Sequence, residues 1–269
     1  MMGWIVPFVI LPVLGLVTFA VFRAQVVTDR DVQWLAGGFV ARADEERVYR
    51  RYLLRHRRHR VVGGAFGASV ALVVGGRWYG QVTVGVGNGS PLGDLLLCTL
   101  TGVVVGALSA ESFRLSQPRS AARAASLGPR AGLPLVLVAR AAMVLAAASL
   151  VVALVVVMQG GATWSVLAAV IGCVVVLVGQ ATRAAIAGRA RPVLTARAAH
   201  VDARMRAFAA ESVSWLQLAA AVLTAAWVLS GLDADGPLVT LAVVSGLVLA
   251  IVLLVRAKPH PRRSWQPAA

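Results

Sequence analysis

The chain has 269 residues, of which 59% are hydrophobic and 14% are charged, and its formal net charge is +15. A soluble domain of this length has a lower apolar content, so the composition excludes an ordinary soluble protein and favours a core that lies mostly in lipid. On a soluble chain this charge would indicate a nucleic-acid partner. On a membrane chain the placement of the cations matters more than their sum, and no nucleic-acid partner is predicted.

Seven apolar runs are long enough to cross a membrane. A helix needs about 20 residues to span the ~30 Å hydrocarbon layer. The runs occupy residues 4–22, 61–79, 92–110, 141–158, 162–182, 212–232 and 237–255. The second and third reach this length only with their polar ends, whose side chains can extend to the interface. The sequence therefore predicts an all-α polytopic membrane bundle, a single transmembrane domain over residues 1–269 with one helix followed by three hairpins.

The cations predict the orientation of this bundle. Residues 47–60 read RVYRRYLLRHRRHR, with seven arginines and two histidines directly before the second apolar run. An arginine costs about 2.5–3.5 kcal/mol at a helix centre on insertion scales, so this block stays on the cytoplasmic side. With seven alternating crossings, every lysine and arginine except Arg77 falls on that side. We expect a protein of the bacterial inner (plasma) membrane with its N-terminus outside and its C-terminus inside.

Residues 23–60 are predicted to form a basic amphipathic cytoplasmic segment. Residues 28–31, TDRD, resemble a capping box that opens a short helix, and Gly37 and Gly38 interrupt it. A second helix is predicted to begin at Asp44, where three successive acidic residues favour a helix N-terminus. Its apolar face is predicted to contain Val48, Tyr49, Tyr52 and Leu53. We expect this helix to lie along the headgroups and to turn, or to continue, into the second crossing.

The arginines of this segment permit two interpretations. Orientation in the membrane explains them without any ligand. Alternatively, they bind anionic phospholipid headgroups, at about 1 kcal/mol per residue near the surface, or a cytosolic or membrane protein partner. The candidate lipid- or partner-facing residues are Arg50, Arg51, Arg55, Arg57, Arg58 and Arg60.

Small residues recur at every fourth position in the second and third crossings. In the second crossing they are Gly63, Gly67, Ala71 and Gly75, and in the third they are Cys98, Gly102, Gly106 and Ala110. Residues four apart share a helix face, and a face of small residues allows another backbone to approach closely. We expect these glycines to pack the two helices together within one chain. A contact between copies in a homo-oligomer is the alternative.

No residue pattern indicates a catalytic centre, a cofactor or a metal site. The runs have no ionisable residue near their middle, where proton and ion pathways place one. The ionisable residues at run ends, which we expect headgroups and water to solvate, are Asp94, Glu111, Arg140 and Glu211. The four histidines are predicted to lie in inner loops, so none is positioned to bind haem or copper within the bilayer. The two cysteines have no metal-ligand spacing, and no Walker motif occurs.

Two phrases of the sequence, YRRYLLRHRRHR at residues 49–60 and RAASLGPR at residues 123–130, together with the hairpin layout, resemble multi-pass membrane proteins common in actinobacteria. The resemblance covers most of the chain. The group has no established activity, so the resemblance implies location and topology, and it implies no catalytic residue.

These observations predict a non-enzymatic integral membrane protein, a permease-like or scaffold subunit whose arginine-rich cytoplasmic loops contact a partner or anionic lipid. The alternative is a stand-alone carrier of a small apolar or lipid-like substrate that uses the glycine-faced helix pair as its moving seam. A third hypothesis is a lipid-modifying enzyme at the inner interface that uses Glu111 or Glu211.

Overall fold

A computed structural model describes residues 26–38, 40–78, 91–116, 133–161, 163–188, 195–232 and 237–258. Of these residues 91% are helical and none is in a strand. The helices are α1 (Asp29–Ala36), α2 (Ala43–Trp78), α3 (Pro91–Ser112), α4 (Leu133–Met158), α5 (Trp164–Gly188), α6 (Ala196–Ser230) and α7 (Pro237–Arg256). A 3-10 helix, Phe113–Ser116, follows α3.

Five of these helices are long and apolar enough to cross a membrane. They are α3 over Leu95–Ser112, α4 over Leu135–Met158, and α5, α6 and α7 over their full lengths. They correspond to the third to seventh predicted runs, so the all-helical class is confirmed, and the five spans are typical of a membrane protein. The first run, residues 4–22, lies outside the described residues. The second run forms the C-terminal half of α2, which is not among the five.

Two helices run without a break from a basic segment into an apolar run. In α2 the basic residues continue directly into the second run, which was one of the two expected arrangements. The helix α6 begins at Ala196 rather than at residue 212, where the apolar run begins. The side chain of Thr195 caps it by accepting a hydrogen bond from the Ala198 amide at 3.3 Å. The sequence of α6 contains no glycine or proline, so nothing interrupts the helix before the apolar run.

The helix α1 packs against the N-terminal halves of α2 and α6. The predicted capping box is present, because Thr28 Oγ1 accepts from the Asp31 amide at 3.3 Å and Asp31 Oδ2 accepts from the Thr28 amide at 2.9 Å. The left-handed Gly37, with φ of 85°, ends the helix. The buried apolar residues of this cluster include Val32, Leu35, Tyr49, Tyr52, Leu53 and Val201. Val48 is exposed, so the predicted apolar face was wrong at that position.

The central helix of the bundle is α6. In its most apolar 18-residue stretch 72% of the residues are buried within the bundle, compared with 28% in the corresponding stretches of α4 and α7. The helices α3, α4, α5 and α7 pack around it, and α2 pairs mainly with α3. We call the end at which α2 and α6 begin, and α3, α5 and α7 end, the basic end of the bundle.

Candidate functional site

A glycine seam joins α2 and α3, which run antiparallel. The described glycines of this seam are Gly63, Gly67, Gly102 and Gly106. A Cβ atom built on Gly63 would overlap the carbonyl oxygen of Gly102 and lie 2.8 Å from Gly106 Cα. Gly67 lies equally close to the backbone of Cys98. These glycines therefore pack against each other within one chain. Gly75 belongs to the same predicted face, but its surroundings lie outside what the structure describes.

The seam continues at the basic end into a buried polar cluster of Tyr52, His56 and Glu111. Glu111 Oε1 accepts a hydrogen bond from the Tyr52 hydroxyl at 2.5 Å and lies 2.5 Å from His56 Nε2. His56 and Glu111 have 0% relative exposure. The expectation that water and headgroups solvate Glu111 is therefore wrong, because the continuous α2 covers the last turn of α3. The assignment of His56 to an inner loop is also wrong, since it lies in the middle of α2.

The geometry favours a neutral imidazole at His56 with its proton on Nε2. Its Nδ1 is buried and has no hydrogen-bond partner among the described residues. In the neutral ring this atom is an acceptor, whereas in the imidazolium it would be a buried donor without an acceptor. Burial lowers the pKa of His56, and the bond to Glu111 opposes that shift. The Nε2–H of His56 is then the group that donates to the Glu111 carboxylate.

Aromatic rings separate this cluster from water. Phe208 of α6 meets the Tyr52 ring edge-on with centroids 6.1 Å apart and the His56 ring with centroids 5.7 Å apart. The Trp34 ring of α1 packs against the same phenylalanine at 5.6 Å. The cluster therefore connects the α2–α3 pair to α1 and to the central helix.

Buried arginines at the basic end bind the backbone of neighbouring helices. Arg60 donates to the carbonyl oxygen of Leu254 at 3.2 Å and to that of Ala257, and Arg206 donates to the carbonyl oxygen of Ile186 at 3.3 Å. Carbonyls in the last turn of a helix lack partners within the helix, and a cation there also interacts favourably with the helix dipole. Arg60 is therefore directed into the protein, which corrects its assignment as a lipid- or partner-facing residue.

Two further candidates, Arg50 and Arg57, hold α1 against α2. Arg50 forms ion pairs with Asp29 at 2.7 Å and with Glu46 at 2.6 Å. Arg57 forms an ion pair with the buried Asp31 at 2.7 Å, and it also donates to a backbone carbonyl that precedes α1. Burial raises the pKa of Asp31, but the capping bonds from Thr28 and the ion pair with Arg57 together lower it below its ordinary value. Both arginines thus have acceptors within the chain.

Of the remaining candidates, Arg51 and Arg58 lie on the opposite side of α2 from the polar cluster, whereas the Arg55 guanidinium lies 5.5 Å from the centre of the Tyr52 ring. Arg51 and Arg58 are exposed and have no hydrogen-bond or ion-pair partner within the described ranges. The Arg55 guanidinium lies 4.1 Å from the centre of the Phe113 ring, and its buried Nε has no hydrogen-bond partner there. The side of Arg51 and Arg58 continues with exposed apolar residues. We call this side the exposed face of α2; it contains Arg47, Arg51, Arg58, Val62, Phe66 and Val73, and the half-buried Arg55 lies at its edge.

The exposed face of α2 changes from arginine to hydrocarbon within one helical turn, between Arg58 and Val62. Val62 is 67% exposed and Phe66 is 71% exposed.

Comparison of the chain with protein-family models, with curated proteins and with solved structures found no match. Within the described part of the chain, no group of three or more His, Cys, Asp and Glu side chains is placed to hold a metal ion.

Proposed function

We propose that the chain is a non-enzymatic protein of the bacterial inner membrane, a permease-like or scaffold subunit whose exposed arginines bind anionic phospholipid or a protein partner. The observation that carries the proposal is the exposed face of α2, where Arg51 and Arg58 have no partner and stand in line with exposed apolar residues. The buried arginines are already bound to carbonyls and carboxylates of the chain. The exposed ones are free to bind a ligand.

The proposed topology has seven crossings, with the N-terminus outside and the C-terminus inside. It consists of residues 4–22, the apolar half of α2 and the five spans from α3 to α7. The contacts of Arg60 with the end of α7 and of Arg206 with the end of α5 support a common basic end for these helices. Because cations near membrane spans favour the cytoplasmic side, we assign the basic end to the cytoplasm. The resemblance of residues 49–60 and 123–130 to actinobacterial membrane proteins supports a bacterial origin.

The burial of Glu111 supports a non-enzymatic role. A catalytic carboxylate must come within hydrogen-bond reach of its substrate. Glu111 has no exposed surface and already accepts from Tyr52 and interacts with His56, and Glu211 is exposed elsewhere, on α6. The stand-alone carrier is the alternative proposal. A carrier that moved along the glycine seam would have to break the contacts of Glu111 in each cycle, because they close the end of that seam.

The proposal is tested by purifying the full-length protein from native membranes with a mild detergent and analysing what accompanies it by native mass spectrometry. The wild type is expected to retain anionic phospholipid or one defined partner. The double variant Arg51→Gln, Arg58→Gln should lose most of it. The control Arg42→Gln, which removes an exposed arginine outside α2, should retain it. A wild-type protein that carries neither would refute the proposal, and transport of a small apolar solute by vesicles holding only this protein would favour the carrier.

A further inference from the structure

We propose that one anionic phospholipid binds where α2 and α3 meet the inner membrane surface, with its phosphate at Arg55 and Arg58 and an acyl chain along Val62 and Phe66. This inference rests on the proposed function and specifies the ligand and its site. The juxtaposition that carries it is two arginines without a hydrogen-bond acceptor among the described residues, Arg58 one turn and Arg55 two turns below the exposed Val62, which Phe66 follows one turn later.

The polar half of this site is organised by contacts with α3 and with the 3-10 helix that follows it. The stacking of the Arg55 guanidinium over the Phe113 ring fixes the position of that cation, while its Nε remains without a hydrogen-bond acceptor. Arg58 follows three residues later, and positions three apart are neighbours on a helix surface. His59 Nδ1 lies 2.8 Å from Ser109 Oγ, and this contact closes the side of the site next to α3. Two adjacent guanidinium groups are suited to bidentate hydrogen bonds with phosphate oxygens.

The apolar half of the site distinguishes a lipid from a soluble phosphate. Val62 lies one turn above Arg58 on the same face, and Phe66 lies one turn above Val62, so the two side chains extend the site by about 5.4 Å per turn. A free phosphate ion would contact only the arginines. A phospholipid would place its headgroup on the arginines and an acyl chain on the apolar side chains, which buries surface that is exposed in the protein alone.

If the ligand is a lipid, the contribution of each arginine to binding should depend on its distance from the membrane. At 1.5 Å per residue, Arg51 lies roughly 10 Å and Arg47 roughly 16 Å below Arg58 along the axis of α2. Attraction to headgroups declines within a Debye length of about 8–10 Å. Arg58 should therefore contribute most to lipid binding, Arg51 less and Arg47 least. An acidic protein partner would contact these exposed arginines without that order.

The test uses the full-length protein in neutral detergent, titrated with phosphatidylglycerol, phosphatidylcholine or inorganic phosphate and followed by native mass spectrometry. Arg58→Gln should weaken phosphatidylglycerol binding about fivefold, the equivalent of ~1 kcal/mol for one interfacial arginine. Arg51→Gln should weaken it less than about twofold, and the matched control Arg47→Gln should leave it unchanged. Phe66→Ala should also weaken binding, and phosphatidylcholine should bind weakly to every variant. All three arginines are exposed, and unchanged circular dichroism would verify that each variant is folded.

Four outcomes would overturn this inference. Equal losses for Arg47→Gln, Arg51→Gln and Arg58→Gln would indicate diffuse attraction or a protein partner. Displacement of phosphatidylglycerol by an equal concentration of inorganic phosphate would assign the site to a soluble ion. Retention of native lipid by the Arg58→Gln variant would refute this site but not the proposed function. A wild-type protein that carries neither lipid nor partner would refute both.

Discussion

Replacement of Glu111 by alanine tests whether the buried polar cluster holds the α2–α3 pair together. The change removes the acceptor for the Tyr52 hydroxyl and for His56 Nε2, each 2.5 Å from Glu111 Oε1, and both His56 and Glu111 are fully buried. A hydrogen bond to a charged group contributes about 1.5–3 kcal/mol, so two bonds give an upper range of about 3–6 kcal/mol. A buried donor that loses its acceptor costs about 1–3 kcal/mol, and this change takes the acceptor from two donors, the Tyr52 hydroxyl and the neutral His56 Nε2–H. We therefore expect the free energy of unfolding to fall by about 3–5 kcal/mol.

The assay is reversible unfolding of the full-length protein in mixed micelles with increasing dodecyl sulfate, followed by tryptophan fluorescence. Trp34 is a suitable probe because it packs on Phe208, which also contacts His56. The control Glu211→Ala removes an exposed carboxylate from α6 and should change stability by less than about 0.5 kcal/mol. The double variant with His56→Ala should show a coupling of about 1–3 kcal/mol. Equal effects of the two glutamate variants, or additive effects in the double variant, would refute a structural bond between His56 and Glu111.

Three further predictions concern the same end of the bundle and use the same unfolding assay. Burial lowers the pKa of His56 from 6.5, so the unfolded chain takes up a proton at a higher pH than the folded protein does. The free energy of unfolding should therefore be highest above about pH 6.5 and should fall as the pH drops from there through the lowered pKa. The variant His56→Gln should not show this pH dependence. Gly63→Ala should lower the free energy of unfolding by about 1–3 kcal/mol or more, because the new Cβ would overlap the backbone of α3. The control Gly246→Ala should lower it less, because its Cβ would lie 3.3 Å from Ala226 Cβ. Arg60→Met should cost about 1–3 kcal/mol and increase amide hydrogen exchange at the C-terminal end of α7, and unchanged exchange there would contradict the capping role.

The helical class and most of the apolar spans could be predicted because the hydrocarbon thickness sets a length that few other segments reach. The short helix α1 was predictable for a local reason, since the capping box at residues 28–31 and Gly37 define its two ends without tertiary contacts. The start of α6 was not predictable from hydropathy alone. Hydropathy changes at residue 212, but the helix continues through the polar stretch because no residue there breaks it.

The roles of Glu111 and Arg60 could not be predicted from their positions at the ends of apolar runs. An end of a run lies near the headgroups, but a neighbouring helix that extends beyond the membrane can cover it. A signal for this arrangement is present in the spacing, since Tyr52, His56 and Arg60 recur every fourth residue and lead onto the face of Gly63. Extending the glycine face of α2 toward the N-terminus would have placed Tyr52 and His56 against the end of α3.

The arginines of α2 have two different roles, because those on its buried side bind other helices and those on its exposed side have no acceptor within the described residues. Arg60 on the buried side closes the end of α7, so a substitution there would disturb the fold whether or not a ligand exists. Arg58 on the exposed side has no acceptor within the described residues, so its loss should affect binding without affecting the fold. Reversing the charge of a whole block of arginines would mix these effects, because some members stabilise helix ends and others face the membrane. Single substitutions chosen by side are therefore required to separate orientation, packing and lipid binding in this chain.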